Sequence, residues 1–282
     1  MARGVRLDEL LVARGFFPTP AQARAAVMAG LVYVDGRRVD KAGAAIPPGA
    51  AVEVRRAQHP YVSRGGLKLE RALDVFGLPV AGKTCIDVGA STGGFTHCLL
   101  RRGAARVYAV DVGYGQLDWK LRQDPRVVPV ERTNFRHIRE GDLPRADLVV
   151  MDVSFISLVK LLPAARLVLA GEGDVVALVK PQFEASRDAA GKGGGVVRDP
   201  EVHREVLETV LAEADRQGWS ARGLTFSPIL GPKGNIEFFV WWKPGAGGAG
   251  GEEGQPGGID PERVARAVQE AHRFFKESSN SR

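Results

Sequence analysis

The sequence predicts an α/β protein: a doubly wound, mainly parallel sheet of seven strands, preceded by a small basic α+β domain. Three observations lead there. Between Lys83 and Pro244, short apolar runs alternate with amphipathic stretches, the pattern of strands joined by crossover helices. The first of these runs, Thr84–Val88, leads into the small-residue turn Gly89-Ala-Ser-Thr-Gly-Gly94 just before a helix. Residues 1–57 differ in composition: nine Lys and Arg face five acids, so four of the chain's six net positive charges lie in its first fifth.

With 282 residues and 44% hydrophobic content the chain can bury a sizeable core. Its basic excess is consistent with a polyanionic partner. The two cysteines, Cys85 and Cys98, lack metal or redox spacing and read as buried thiols of a cytosolic protein. No apolar run approaches the roughly 18 residues of a membrane span, and the N-terminus lacks the apolar core of a signal peptide. A cytoplasmic monomer without metal or membrane contact is expected.

Within residues 1–58, Val5 to Val12 and Pro20 to Met28 have helical spacing, ended by Gly15 and Gly30, and Thr19 stands where it can cap the second helix. Leu31–Val34 and Arg37–Val39 flank Asp35-Gly36, a hairpin signal. Pro47-Pro-Gly49 turns the chain into a closing strand from Ala51 to Arg55. His59-Pro-Tyr-Val62 is an extended linker, either an inert spacer or a hinge. A helix over Leu67–Phe76 follows, with Ser63 as a possible cap and Lys68 in its first turn, an unfavourable place for a cation.

In residues 63–244, strands are expected at Thr84–Val88, Arg106–Val112, Val127–Glu131, Asp147–Val153, Val175–Lys180, Ala221–Phe226 and Ile236–Trp242. The loop before the last is too short for a helical crossover, so that strand should run antiparallel. Residues 245–258 hold eight glycines and read as a flexible tether. Residues 259–282 form an amphipathic helix and a tail, with disorder expected from Glu277 onward. The segment Ala185–Val197, rich in glycine, reads either as a mobile loop over the site or as a plain connection.

Ligands of such sheets bind beyond the C-terminal strand ends. Standing there are the glycine turn, Asp111, Asn134, Asp152 and Lys180, with Glu237 opening the last strand. A glycine turn at a helix N-terminus lets a ligand approach the backbone. Asp111 is placed to accept two ribose hydroxyls. The spacing D-x-G-x-x-x-G-G followed by an acidic strand end resembles the S-adenosylmethionine site of Rossmann-like methyltransferases. That resemblance implies cofactor contacts from Asp87, Gly89, Ala90, Ser91, Thr92, Gly93, Gly94, Phe95, Asp111, Asn134 and Asp152.

Asp152 and Lys180, at strand ends expected to be neighbours, form a candidate buried pair. With Lys68 and Glu237 they give the order K-D-K-E, which resembles the catalytic tetrad of FtsJ-type RNA ribose 2′-O-methyltransferases. The chemistry agrees. A ribose hydroxyl needs a base to become a nucleophile, and Lys180 is the candidate, desolvated beside the second cation Lys68. Asp152 orients Lys180, and Glu237 positions Lys68 or the hydroxyl. Neither cysteine stands at a strand end suited to methylating a pyrimidine carbon.

V-Y-V-D-G-R-R-V and P-P-G before V-E-V resemble an S4-type RNA-binding module, which implies docking on structured RNA through Arg6, Arg14, Arg24, Arg37, Arg38 and Lys41, with Arg3, Arg64 and Lys192 as further RNA contacts. Together with S-R-G-G-x-K, D-V-G-A-S-T-G-G-F-T, D-V-S-F-I-S, L-V-K-P-Q-F-E and K-G-N-I-E-F, the arrangement resembles the TlyA family over residues 1 to about 244. The resemblance implies S-adenosylmethionine-dependent methylation of cytidine ribose in ribosomal RNA of the large, and in some members the small, subunit. Members often carry a haemolysin label. A non-catalytic ribosome-assembly factor and a membrane-active haemolysin are the competing readings. One departure stands out: the linker has His59 where an arginine is known in a member, so no role of that arginine transfers.

Overall fold

The computed structural model describes residues 4–28, 30–55, 59–185, 195–245 and 258–280. Arg3, Lys192, most of the glycine-rich tether and of the Ala185–Val197 segment, and the last two residues fall outside them.

The N-terminal part contains β1 (Val5–Arg6), α1 (Leu7–Ala13), α2 (Pro20–Met28), β2 (Val32–Val34), β3 (Arg37–Arg38), β4 (Ala45–Ile46) and β5 (Val52–Val54). Thr19 Oγ1 accepts the Gln22 N–H at 3.3 Å and so caps α2. The β2–β3 hairpin turns on Asp35 and Gly36, both left-handed at φ 48° and 75°, as a primed turn requires. β5 pairs antiparallel with β2 on its other side. Leu7, Leu11, Val27 and Val32 are fully buried between helices and sheet. The β1–β4 pairing is not legible in the sequence, because two-residue strands show no alternation.

The larger part contains α3 (Gly65–Phe76), β6 (Thr84–Val88), α4 (Gly94–Arg101), β7 (Arg106–Val110), α5 (Trp119–Arg122), β8 (Val127–Val130), β9 (Ala146–Met151), α6 (Leu162–Val168), β10 (Leu169–Val179), α7 (Pro181–Glu184), α8 (Pro200–Arg216), β11 (Trp219–Phe226), β12 (Phe238–Pro244) and α9 (Pro261–Asn280). The seven strands lie in the order β11-β12-β10-β9-β6-β7-β8. β8, β7, β6, β9 and β10 run parallel, and β12 runs antiparallel between β10 and β11. The antiparallel last strand therefore lies inside the sheet. Its direction matters for the site: the start of β12 falls at the same edge as the C-terminal ends of β9 and β10. Apolar side chains cover both sheet faces, one layer centred on Ile86, Val149 and Phe238, the other on Leu73, Leu99 and Leu148.

Three expectations are corrected. Ser63 does not cap α3; Arg64 occupies the cap position without a side-chain cap bond, and Ser63 is drawn instead against Gly94. β10 begins at Leu169, with a register shift before Asp174 that the apolar pattern does not show. The segment after Glu277 is helical to Asn280, because α9 continues past its last packed residue.

Helix α9 docks on the chain's own sheet face. Val264, Ala267, Val268 and Ala271 are buried in the layer that contains Val206, Leu207 and Val210 of α8. Phe226 of β11 meets the Phe274 ring at 5.5 Å, and His203 and His272 ring nitrogens lie 2.9 Å apart. Removing residues 258–282 is expected to cost at least the roughly 1.5–3 kcal/mol of one fully buried valine and to lower the thermal midpoint, measured by scanning calorimetry on full-length and truncated protein.

Candidate active site

The turn after β6 is built by close approach. A Cβ at Gly89 (φ 82°) would lie 2.6 Å from the Asp152 carbonyl oxygen, and one at Gly94 would lie 2.3 Å from Ser63 Oγ. Neither side chain exists, so β6 can pass close to the end of β9, and α4 can begin against the start of α3. Asp111, just beyond β7, grips the turn: its Oδ2 accepts the Ser91 N–H at 2.8 Å and its Oδ1 the Gly113 N–H at 2.7 Å. Ser91 holds a left-handed backbone at φ 49° within this grip.

Beside the turn opens a cavity of about 590 Å³, within the roughly 300–1,000 Å³ of small-molecule sites. Four charged residues from distant parts of the chain meet there as two ion pairs. Lys68 Nζ lies 2.6 Å from Glu237 Oε2, and Lys180 Nζ lies 2.6 Å from Asp152 Oδ1 and 2.9 Å from Ser154 Oγ. Lys68 and Glu237 are almost wholly buried, at 7% and 1% side-chain exposure, whereas Lys180 and Asp152 retain 11% and 21%. Burial alone would lower the Lys68 ammonium, but Glu237 and Asp152 outweigh it and hold the group above its ordinary value. Burial would raise the Asp152 carboxyl, but Lys180 and then Lys68 hold it below the usual carboxylate range. Glu237 Oε1 is buried with no hydrogen-bond partner among the described residues, and Gly231 leaves it room, since a Cβ there would come within 2.5 Å.

An FtsJ-like methyltransferase model matches residues 61–243, and an S4 domain model matches residues 5–52. The TlyA protein of Mycobacterium tuberculosis, named a 16S/23S rRNA (cytidine-2′-O)-methyltransferase, is 47% identical over 86% of this chain and 90% of its own length. The chain belongs to the TlyA family of FtsJ-like methyltransferases. Other relatives of this TlyA-family chain include YqxC of Bacillus subtilis, 49% identical over 96% of the chain and 95% of its own length, and Hemolysin A of Brachyspira hyodysenteriae, 41% identical over 84% and 98%. A solved chain from Streptococcus thermophilus, named for hemolysins, aligns with 99% of this chain and 100% of its own length at 45% identity and a TM-score of 0.75.

Of the residues expected around a cofactor, Gly89, Ala90, Ser91, Thr92, Gly94, Phe95 and Asp152 line the cavity of this TlyA-family chain. Gly93, Asp87, Asp111 and Asn134 do not. Asn134 is exposed and caps the short 3-10 turn Phe135–His137, accepting the Arg136 N–H at 3.1 Å. Asp87 is fully buried under the turn, where its Oδ2 accepts from Thr96 Oγ1 at 2.7 Å. Burial pushes its carboxyl from 3.8 up to about 7. An acid whose folded-state value lies above its unfolded value keeps its proton longer when folded, so stability from this group is highest below pH 4 and falls as pH rises to about 7. Asp87→Asn is expected to remove that part of the slope, seen as the difference between wild-type and variant urea-unfolding curves taken from pH 4 to 8.

Ser154, Phe155 and Phe183 also line the cavity, a placement the sequence does not show. Phe155 is 89% exposed at a left-handed φ of 65° and packs its ring 4.8 Å from Phe183. The D-V-S-F and P-Q-F-E motifs contain them, but an exposed aromatic has no periodic signature. Cys85 and Cys98 are buried, with both thiols pushed up to about 12 by burial, which leaves neither as a nucleophile.

The basic residues of the N-terminal module divide into two groups. Arg6 and Arg24 flank the buried Asp8 at 2.9 and 3.6 Å, and Arg14 donates to the carbonyls of Pro48 and Ala50, so these three hold the module together. Arg37, Arg38 and Lys41 are exposed with no ion pair among the described residues. The linker is anchored on the larger domain: Tyr61 donates to Glu70 Oε1 at 2.6 Å, and the Val62 N–H donates to His97 Nδ1 of α4 at 3.1 Å. No group of three or more potential metal ligands, and no helix long and apolar enough to cross a membrane, occurs among the described residues.

Proposed function

We propose that this chain methylates the 2′-hydroxyl of a cytidine in ribosomal RNA in the cytoplasm, with S-adenosylmethionine as methyl donor. The observation that carries the reading is the pair of ion pairs, Lys68–Glu237 and Lys180–Asp152, facing one cavity beside a glycine turn. The names of the TlyA relatives support it.

The turn residues Gly89 to Gly94 leave space for the cofactor close to the backbone, with Asp111 holding the Ser91 N–H behind them. S-adenosylmethionine supplies an electrophilic methyl group when bound. The chain's own residues then have to deprotonate and aim a hydroxyl. Lys68 is a poor base, because Glu237 and Asp152 keep it charged. Lys180 is the more exposed lysine, held by Asp152 and Ser154 with its Nζ at the cavity wall. Lys180, as the neutral amine, accepts the hydroxyl proton and becomes the ammonium paired with Asp152, which fixes its position and stays ionised. Lys68 provides positive charge next to the developing oxyanion, and the unpartnered Glu237 Oε1 accepts a hydrogen bond from the entering nucleotide. The exposed arginines of the S4 domain give the RNA a docking surface.

Comparison of ribose methylation across ribosomal RNA from cells with and without the gene tests the reading. Loss of methylation at one or two cytidines, restored by the wild-type gene, is expected; unchanged maps would contradict it.

A further inference from the structure

The cavity has a wall from each domain. Arg38 of β3, with Asp40 and Lys41 just after it, lines the cavity together with Arg64, Lys68 and Lys180. Lys68 and Lys180 are paired with Glu237 and Asp152. Arg38, Lys41 and Arg64 have no ion pair among the described residues, and Asp40 lies beyond ion-pair distance of each of them. Arg64 is only partly exposed, and no carboxylate lies within ion-pair distance of it; Glu237, Asp40 and Asp152 act on it from farther off. It also stands at the start of α3, a 12-residue helix whose N-terminus has no side-chain cap. Two guanidinium groups from different domains thus share one opening, a placement that is unfavourable without an anion between them and favourable with one.

We infer that Arg38 of the S4 domain and Arg64 of the methyltransferase domain form an interdomain clamp for one backbone phosphate of the RNA strand, next to the nucleotide being methylated. The inference rests on the RNA-methylating reading above. It gives the S4 domain a second role, since the domain completes the substrate cavity as well as docking on RNA at a distance. Burial, and then the charge of Arg38, hold the Arg64 guanidinium below its ordinary value, against the pull of Glu237, Asp40 and Asp152 from beyond ion-pair distance. With the phosphate in place, closing the two domains and loading the target strand become one event.

The test is a double-mutant cycle on binding of ribosomal subunits from cells lacking the protein, using wild type, Arg38→Ala, Arg64→Ala and the double variant. Each single change is expected to weaken binding about tenfold, the size of one charge-assisted hydrogen bond, and the double variant to be no weaker than either single. The slope of log affinity against log salt should fall by about 0.7 in all three variants, the value for one single-strand phosphate. Multiplicative losses near a hundredfold, or twice that slope change in the double variant, mean two separate contacts and overturn the clamp. Because the two arginines repel each other, removing either should leave the thermal midpoint unchanged or higher; a lower midpoint marks a structural role and also overturns it. Binding is read without catalysis, so a wild-type protein that binds but transfers no methyl group counts against the proposed reaction and leaves the cycle interpretable.

Discussion

Replacement of Lys180 by arginine is expected to lower the rate of methyl transfer by about 10²–10⁴-fold, the range for loss of a positioned base, while cofactor affinity stays near wild type. Arginine keeps the cation opposite Asp152, which sits 2.6 Å from Lys180 Nζ, but a guanidinium cannot give up its proton in a protein. Lys180→Ala should be at least as inactive. It also leaves the Asp152 carboxylate without its nearest cation, so its loss mixes chemistry with stability. The arginine variant separates the two. Single-turnover transfer of labelled methyl from S-adenosylmethionine, with calorimetric titration of the cofactor, reads both quantities. A Lys180→Arg enzyme with wild-type turnover would assign the proton to another group.

Lys68→Met is expected to cause the largest loss of stability in the larger domain. Lys68 and Glu237 bury one ion pair at 7% and 1% side-chain exposure. Removing one partner of a buried pair costs about 3–5 kcal/mol, because the remaining charge is unpaired. Glu237 Oε1 already lacks a partner, so nothing among the described residues replaces the lysine at Oε2. Glu237→Gln added to Lys68→Met removes the orphaned charge and should recover much of the stability without restoring activity. Urea unfolding of wild type, single and double variants measures the effect; a double variant no more stable than the single one would speak against an orphaned carboxylate as the cause.

The fold was readable where the chain repeats a period. Thr84–Val88 and Pro20–Met28 show clear strand and helix patterns with turn or cap residues at their ends, and they occur where the pattern puts them. β1 and β4 escaped notice because two-residue strands carry no period. Ser63 looked like a cap because serine favours caps, but the absent Cβ of Gly94 gave its hydroxyl a closer neighbour. The charged residues were readable because each stands at a strand end or helix start, where the sheet's topology sends ligands. Their pairing required β12 to run antiparallel beside β10, which the short preceding loop had already indicated. What stayed hidden were roles fixed only by three-dimensional neighbours. Asp87 is buried under the turn with Oδ2 on Thr96 and Oδ1 unpartnered among the described residues, a setting no sequence pattern shows. Arg6, Arg14 and Arg24 belong to a basic cluster in sequence, and no spacing shows that they also bind Asp8 and backbone carbonyls. Phe155 is held outward by a backbone angle that no spacing reveals.

The most direct test is the identity of the modified nucleoside. Purified protein is incubated with labelled S-adenosylmethionine and ribosomal subunits lacking the modification, and the RNA is digested to nucleosides and analysed by mass spectrometry. 2′-O-Methylcytidine is the expected labelled product, accumulating far more slowly with Lys180→Arg. A methyl group on the cytosine ring, on another nucleoside, or on no RNA component at all would contradict the proposed reaction.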